Sequence, residues 1–156
     1  MAPPAETPGD LRLAGNPPAP ASAAEWRWSA LRIGTAADLA GAVTRTHLAD
    51  GRVVGWVGPV PAGRLATDAE LADAEVPRAL ARRFGTVGFW TRWTRAECLC
   101  KLADLPMHVW WRRYGLEVPA DFGGTWHTAE AGGLVVTVAV DRGVTRSRSA
   151  VCLKVP

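Results

Sequence analysis

Apolar and polar positions along the chain predict strands near both ends of a domain. In EWRWSALRIG (25–34) tryptophan and alanine alternate with polar neighbours, a pattern typical of a half-buried strand. DLAGAVTRTHL (38–48) and RVVGWVGPV (52–60) predict two more strands, joined by an Asp-Gly turn of the kind that closes hairpins. Near the C-terminus, GGTWHT and LVVTVAV, on either side of residues 129–133, predict a second hairpin.

Helix signals fill the middle of the chain. Thr67-Asp68-Ala69-Glu70 fits a capping box and predicts the start of a helix. Residues 76–93 predict another helix, with Pro77 in its first turn. A second capping box, Thr94 to Glu97, predicts a helix over AECLCKLADL that Pro106 ends, and MHVWWRRYG predicts a short helix. Strands that flank a run of helices indicate an α+β domain.

The first 24 residues differ in composition from the rest. They are rich in Pro and Ala and have little to bury, which predicts a disordered arm over 1–24 before a domain over 25–156.

Composition limits the possible settings of the protein. No apolar run approaches the roughly 18 residues that a membrane span needs. The three cysteines form neither a zinc pattern nor a disulfide framework, and no signal peptide is visible, so we expect a cytoplasmic protein. A net charge of +3 and a pI near 9.1 are compatible with an anionic partner.

The segment FWTRWTRAECLCKLADLP resembles the signature of the 4′-phosphopantetheinyl transferases. In that family an aromatic residue and Ser/Thr precede Lys-Glu-Ala, and a second Lys follows four residues after the Glu. Trp93, Thr94, Glu97 and Lys101 fall in register, whereas Ala96 replaces the first Lys. The resemblance covers about residues 30–140 and implies an antiparallel sheet packed by helices. It implies one full unit, about 52–140, and a shortened preceding half.

The same resemblance implies a lost metal site when VVGWVGPV is laid on the family's Gly-Ile-Asp-Ile-Glu-Pro-Val strand. Trp56 then replaces the strand Asp and Gly58 the strand Glu, which with the helix Glu hold Mg²⁺ in the family. Upstream, Thr35 replaces the His that helps to hold coenzyme A. Only Glu97 remains to bind a cation that prefers several oxygen ligands. We therefore expect no metal ligands, and coenzyme A and Mg²⁺ only if the ancestral activity survives.

Glu97 and Lys101 are the candidate catalytic residues, but both also have structural explanations. Glu97 would complete a helix cap, and Lys101 lies four residues further along, at ion-pair spacing. Trp56 is either a core residue or one wall of an apolar pocket that replaces the metal site. The other candidate pocket residues are Thr35, Asp38, Trp90 and Trp93.

Arginines concentrate in the helical half, where they form either a solvated face or a docking surface for an acidic carrier protein. The candidate docking residues are Arg82, Arg83, Arg92 and Arg95. His47, His108 and His127 match no metal spacing, and we expect His47 and His127 to be exposed. Nucleic acid is an unlikely partner because no recognised binding motif accompanies the charge. An uncovered sheet edge predicts a homo-oligomer.

Three functions remain open from the sequence. The chain is a repurposed, metal-independent catalyst of natural-product assembly, such as a cyclase, isomerase or dehydratase. Alternatively, it is a non-catalytic module that binds a carrier protein or carrier-bound intermediate. In the third hypothesis it is an unusual but active 4′-phosphopantetheinyl transferase that uses coenzyme A.

Overall fold

A computed structural model describes residues 28–60 and 62–142 of the chain. These residues form two three-stranded antiparallel sheets and three α-helices, which confirms the predicted α+β class. The predicted arm over 1–24 lies outside the described residues. No helix within the described ranges has the length and apolar character needed to cross a membrane.

The first sheet contains the three predicted N-terminal strands, each shorter than expected. Its strands are β1 (Leu31–Gly34), β2 (Thr44–His47) and β3 (Val53–Trp56), with β3 in the centre. A 3₁₀ turn over Trp28–Ala30 replaces the start of the first predicted strand. The predicted hairpin between β2 and β3 is confirmed, and Gly51 at its turn has φ of 88°, which favours glycine.

The second sheet contains the predicted C-terminal hairpin and one strand that the sequence pattern did not predict. Its strands are β4 (Arg64–Leu71), β5 (Thr125–Ala131) and β6 (Leu134–Asp141), with β6 in the centre. β4 and β6 pair over eight residues each, from Arg64 opposite Asp141 to Leu71 opposite Leu134.

The helix predicted to start at the capping box of Thr67 to Glu70 is wrong, because these residues lie in β4. The strand has a period of two. Leu65, Ala69 and Leu71 pack in the core on the side of the first sheet. The alternate positions, such as Ala66 and Asp68, face the helices. Pairing along all of β6 outweighs a local cap of about 0.5–2 kcal/mol.

The helices are α1 (Arg78–Phe84), α2 (Phe89–Ala103) and α3 (Met107–Tyr114). The predicted short helix ending at Gly115 is confirmed as α3, but the single helix over 76–93 is wrong. α1 ends before Gly85, and α2 begins after Gly88; both glycines have positive φ, at 73° and 56°. These two residues therefore divide the predicted helix.

The second predicted capping box is also wrong, because Thr94 and Glu97 lie inside α2. The Thr94 hydroxyl contacts the carbonyl of Thr91 at 3.3 Å and the hydroxyl of Thr137 on β6 at 2.8 Å. It anchors the helix to the sheet rather than starting it. Glu97 is thus free of the capping role that the sequence assigned to it.

The second sheet lies between two apolar clusters. On one face, Phe89, Leu99 and other residues of α2 pack with Ala139 of β6. On the opposite face, Trp56 and Val54 of β3 pack with Val136 and Val138 of β6. Side chains of β4 that face α2 therefore lie on the other side of the sheet from Trp56.

Candidate functional site

Four charged side chains meet where β4 faces α2. Asp68 and Glu70 are two residues apart on β4 and so point to the same face of the sheet. Glu97 and Lys101 are four residues apart on α2 and so share one face of the helix. The structure brings the predicted pair, Glu97 and Lys101, together with two carboxylates that the sequence analysis had assigned to a helix cap.

Lys101 connects the two elements. Its Nζ lies 2.8 Å from Oδ1 of Asp68, 3.0 Å from the carbonyl oxygen of Thr67, to which it donates, and 4.0 Å from Oε1 of Glu97. The Thr46 hydroxyl on β2 donates to the same Oδ1 at 2.9 Å. Asp68 therefore joins the first sheet, the second sheet and α2 at one atom.

The Asp68 side chain is 2% exposed, and its Oδ2 is buried without a hydrogen-bond partner. Its pKa is raised to about 6, mainly by burial; the attraction of Lys101 opposes this rise and the charge of Glu97 adds to it. For Lys101, burial lowers the pKa, but the attraction of Asp68 outweighs it and the net shift is upward. An unsatisfied buried carboxylate oxygen is costly to a fold, so it signals a role beyond packing.

The Glu70 side chain is the second carboxyl group of the site with a raised pKa. Its pKa is raised to about 7, mainly by partial burial and also by the nearby charges of Asp68 and Glu97. Three carboxylates are thus close enough to repel one another, with a single lysine to balance them. A perturbed group among charged neighbours marks a candidate functional site.

The donor set is chemically suited to Mg²⁺, which prefers hard carboxylate oxygens with water and phosphate completing its shell. Asp68, Glu70 and Glu97 supply such oxygens, and Oδ2 of Asp68 is unsatisfied. Across residues 28–60 and 62–142, no three His, Cys, Asp or Glu side chains are already arranged as a metal site. The ammonium group of Lys101 lies 2.8 Å from Asp68 and 4.0 Å from Glu97 instead, so two of the three carboxylates already face a cation.

Further contacts fix α2 against the second sheet. Arg64, at the start of β4, donates to the carbonyl of Leu102 at 2.6 Å and contacts Asp104 at 2.9 Å, beyond the end of α2. The Thr94 hydroxyl meets Thr137 at 2.8 Å, on the neighbouring strand β6. These contacts hold the face of α2 that carries Glu97 and Lys101 opposite β4.

Trp56 is a core residue. It is 4% exposed and packs with Ala69 and Val138, on the face of the second sheet opposite Lys101. Its Nε1 donates to the carbonyls of Gly58 and Pro59, both at 3.1 Å. The pocket-wall interpretation of Trp56 is therefore wrong and the core interpretation is confirmed.

Thr35 and Asp38 form an exposed turn after β1. The Thr35 backbone N–H and hydroxyl donate to Oδ2 of Asp38 at 2.9 and 2.8 Å, and these bonds lower the pKa of that carboxyl. The turn borders an open cavity of about 770 Å³ that the β2–β3 turn also lines, at Asp50 and Arg52. The side-chain hydrogen bonds of Thr35 and Asp38 join these two residues to each other, not to Glu97 or Lys101.

Trp90 and Trp93 belong to an aromatic cluster that joins the three helices. Trp93 stacks on Phe89 with centroids 5.5 Å apart and lies 6.1 Å from Trp111 of α3. Nε1 of Trp90 donates to the carbonyl of Ala74 at 2.7 Å. These contacts place both residues in the packing of the helices rather than beside the four charged side chains.

The four candidate docking arginines do not form one uniform surface. Arg82 and Arg83 are exposed on α1, and the Arg83 guanidinium lies 5.3 Å from the Phe84 ring. Arg92 donates to the carbonyl of Phe84 at 2.6 Å, and Arg95 donates to the Thr128 hydroxyl at 2.8 Å. Arg92 and Arg95 thus have structural partners, and docking of a carrier protein stays a prediction.

The histidines lie on different elements. His47, on β2, is exposed, as predicted, and His108 on α3 is exposed too. His127 on β5 is partly buried rather than exposed, and this burial lowers its pKa.

Comparisons with known proteins found no matching family model, no matching curated protein and no matching solved structure.

Sequence reasoning missed Asp68, Glu70 and Thr46. A signal was present, because apolar or β-branched residues alternate with Asp68 and Glu70 from Leu65 to Leu71, a strand period. The capping-box interpretation concealed it, since Asp and Glu are uncommon in strands.

Proposed function

We propose that the protein is a Mg²⁺-dependent 4′-phosphopantetheinyl transferase, the third function left open by the sequence. The observation that carries the proposal is the position of Asp68 and Glu70 on β4, opposite Glu97 and Lys101 on α2. A strand Asp-x-Glu facing a helix Glu is the arrangement that the family resemblance implies. β4 then corresponds to the family's metal-binding strand, which the sequence analysis had matched to β3.

One constant shift along the sequence restores the family's polar residues. Moving the comparison from 56 to 68 and from 58 to 70 replaces Trp56 and Gly58 by Asp68 and Glu70. The same shift moves position 35 to 47 and replaces Thr35 by His47 as the residue matched to the coenzyme A-binding His. A metal-independent catalyst or a binding module was favoured because four family residues were missing. The shift supplies three of them, and Ala96 still stands where the family has its first Lys.

Each site residue has a role in this proposal. Asp68, Glu70 and Glu97 would hold Mg²⁺, which when bound neutralises charge on the pyrophosphate of coenzyme A. Lys101 contributes a positive charge at the edge of the same site. His47 is the candidate contact for the adenosine end of coenzyme A.

The transfer moves one proton and exchanges one phosphorus–oxygen bond. The hydroxyl oxygen of a carrier-protein serine bonds to the phosphorus of the phosphopantetheine half, and the bond to the adenosine bisphosphate half breaks. Glu97, whose side chain is 32% exposed, is the candidate acceptor of the serine proton. Ala96 stands where the family has its first Lys. It is fully buried in α2 and has no group that could act as a base.

The test is to incubate the protein with coenzyme A, Mg²⁺ and an apo carrier protein and to weigh the carrier by mass spectrometry. We expect the carrier to gain one phosphopantetheine group, and excess EDTA to abolish the gain. Glu70→Gln should reduce the rate, whereas Glu75→Gln, in the exposed segment after β4, should not. An unmodified carrier, with folded protein and several carrier proteins tried, would reject the transferase and favour the non-catalytic module.

A further inference from the structure

The ammonium group of Lys101 occupies an all-oxygen environment. Its contacts are the Asp68 carboxylate at 2.8 Å, the Thr67 carbonyl at 3.0 Å and, at 4.0 Å, the Glu97 carboxylate. Carboxylate and carbonyl oxygens are also the groups that bind hard divalent cations. The lysine therefore does in this structure what a bound cation would do: it neutralises the buried carboxylate.

Asp68 cannot serve both cations in this arrangement. Its Oδ1 already accepts from Thr46 and Lys101, and its Oδ2 is enclosed without a partner. A Mg²⁺ ion at its usual distance of about 2.0–2.1 Å from a carboxylate oxygen would lie close to an ammonium group on the same carboxylate. Two cations that close repel strongly in a partly buried site.

We propose that Lys101 is the resident cation of this site and that a divalent ion binds by displacing its ammonium group from Asp68. The displacement is feasible because the Lys101 side chain is 33% exposed, so a rotation of its flexible stem carries the charge to water. Asp68 and its neighbours are thereby kept neutralised before the ion arrives. The identity of the ion as Mg²⁺ rests on the proposed function, whereas the competition itself does not.

If Lys101 and the divalent ion compete for Asp68, removing the lysine charge should strengthen binding of the ion. Lys101→Met keeps most of the stem and removes the charge, so it should strengthen Mg²⁺ binding, measured by isothermal titration calorimetry without coenzyme A. We expect the dissociation constant to fall at least about tenfold, which is about 1.4 kcal/mol. Arg113→Met, on the exposed part of α3, removes the same charge away from the site and should leave the constant unchanged.

Equal or weaker Mg²⁺ binding by folded Lys101→Met would overturn the proposal. If the variant unfolds without metal, circular dichroism is recorded as Mg²⁺ is added. Folding driven by millimolar Mg²⁺ supports the proposal, because the ion then replaces the missing lysine, and failure of Mg²⁺ to restore folding overturns it.

The outcome is separate from that of the transferase assay. Tighter Mg²⁺ binding by Lys101→Met together with an unmodified carrier protein would support the competition and reject the transferase. Transfer by the wild type together with unchanged Mg²⁺ binding by Lys101→Met would support the transferase and reject the competition.

Discussion

β3 and β4 each contain four consecutive buried residues, but the two strands differ in what they bury. Each residue of β3, from Val53 to Trp56, is buried, and so are the four central residues of β4, from Ala66 to Ala69. β3 contributes apolar side chains to a core, whereas β4 encloses Thr67 and Asp68. Burial alone therefore does not distinguish a structural strand from a functional one, but the partners of the buried groups do.

The two strands also differ in energetic terms. Burying an apolar side chain stabilises the fold by about 1.5–3 kcal/mol. Burying a charged pair is neutral or costly unless its hydrogen bonds are complete, and Oδ2 of Asp68 has no partner. We infer that substitutions in β3 change stability, whereas substitutions in β4 change chemistry.

The largest effect is expected in β3. Trp56→Ala should lower the free energy of unfolding by about 3–5 kcal/mol, because it leaves a cavity in the core between the sheets. Urea denaturation measures the loss, and Trp126→Ala is the matched control because Trp126 is 36% exposed. Phosphopantetheine transfer per folded molecule should persist, so a stable Trp56→Ala that has lost transfer would contradict the comparison.

The second effect is expected in β4. Asp68→Asn keeps an oxygen that accepts hydrogen bonds from Lys101 and Thr46 but removes a charged metal ligand. Transfer should fall about a hundredfold, equivalent to about 2.7 kcal/mol of lost transition-state stabilisation. Asp73→Asn, in the exposed turn after β4, should be neutral. Near-normal transfer by Asp68→Asn would show that Asp68 only holds α2 in place.

The strands differ in how far the sequence predicts them. β3 is an unbroken apolar run before a Gly/Pro turn, so pattern alone predicted it, as it did β6 and α3. β4 contains Asp68 and Glu70, which have low strand propensity, but pairing with β6 overcomes it. β4 and β6 are far apart in the sequence, so local sequence patterns do not encode this pairing. The helix signature identified Glu97 and Lys101, but the carboxylates opposite them required the sheet to be known.

The third effect distinguishes the two ways of placing the family's histidine. If His47 contacts coenzyme A, His47→Ala should raise the KM for coenzyme A roughly tenfold, the worth of about 1.5 kcal/mol for a hydrogen bond to a charged group. Its melting temperature should change little because His47 is exposed. Thr35→Ala should leave the KM unchanged. A raised KM for Thr35→Ala but not for His47→Ala would show that Thr35, not His47, corresponds to the family's coenzyme A-binding His.

Counted per pH unit, the smallest effect is a dependence of stability on pH in the protein without Mg²⁺. The pKa values of Asp68 and Glu70 are raised to about 6 and about 7, above the roughly 4 of an unfolded chain. The folded state thus binds more protons than the unfolded state between about pH 4 and pH 7, and stability falls as pH rises through that range. One full proton of difference gives about 1.4 kcal/mol per pH unit.

For Glu70 the slope should be only a fraction of that value, because its partial exposure lets solvent screen the charge. Melting temperatures between about pH 4 and pH 7, the range in which the folded and unfolded states differ in bound protons, measure the slope for wild type and Glu70→Gln. Glu70→Gln should flatten the upper part of the curve, and Trp56→Phe, which changes no charge, should keep the wild-type slope. Saturating Mg²⁺ should flatten it too, since a bound cation stabilises the ionised carboxylates. A wild-type melting temperature that rises with pH across this range would show that burial does not raise the pKa values of the β4 carboxyl groups.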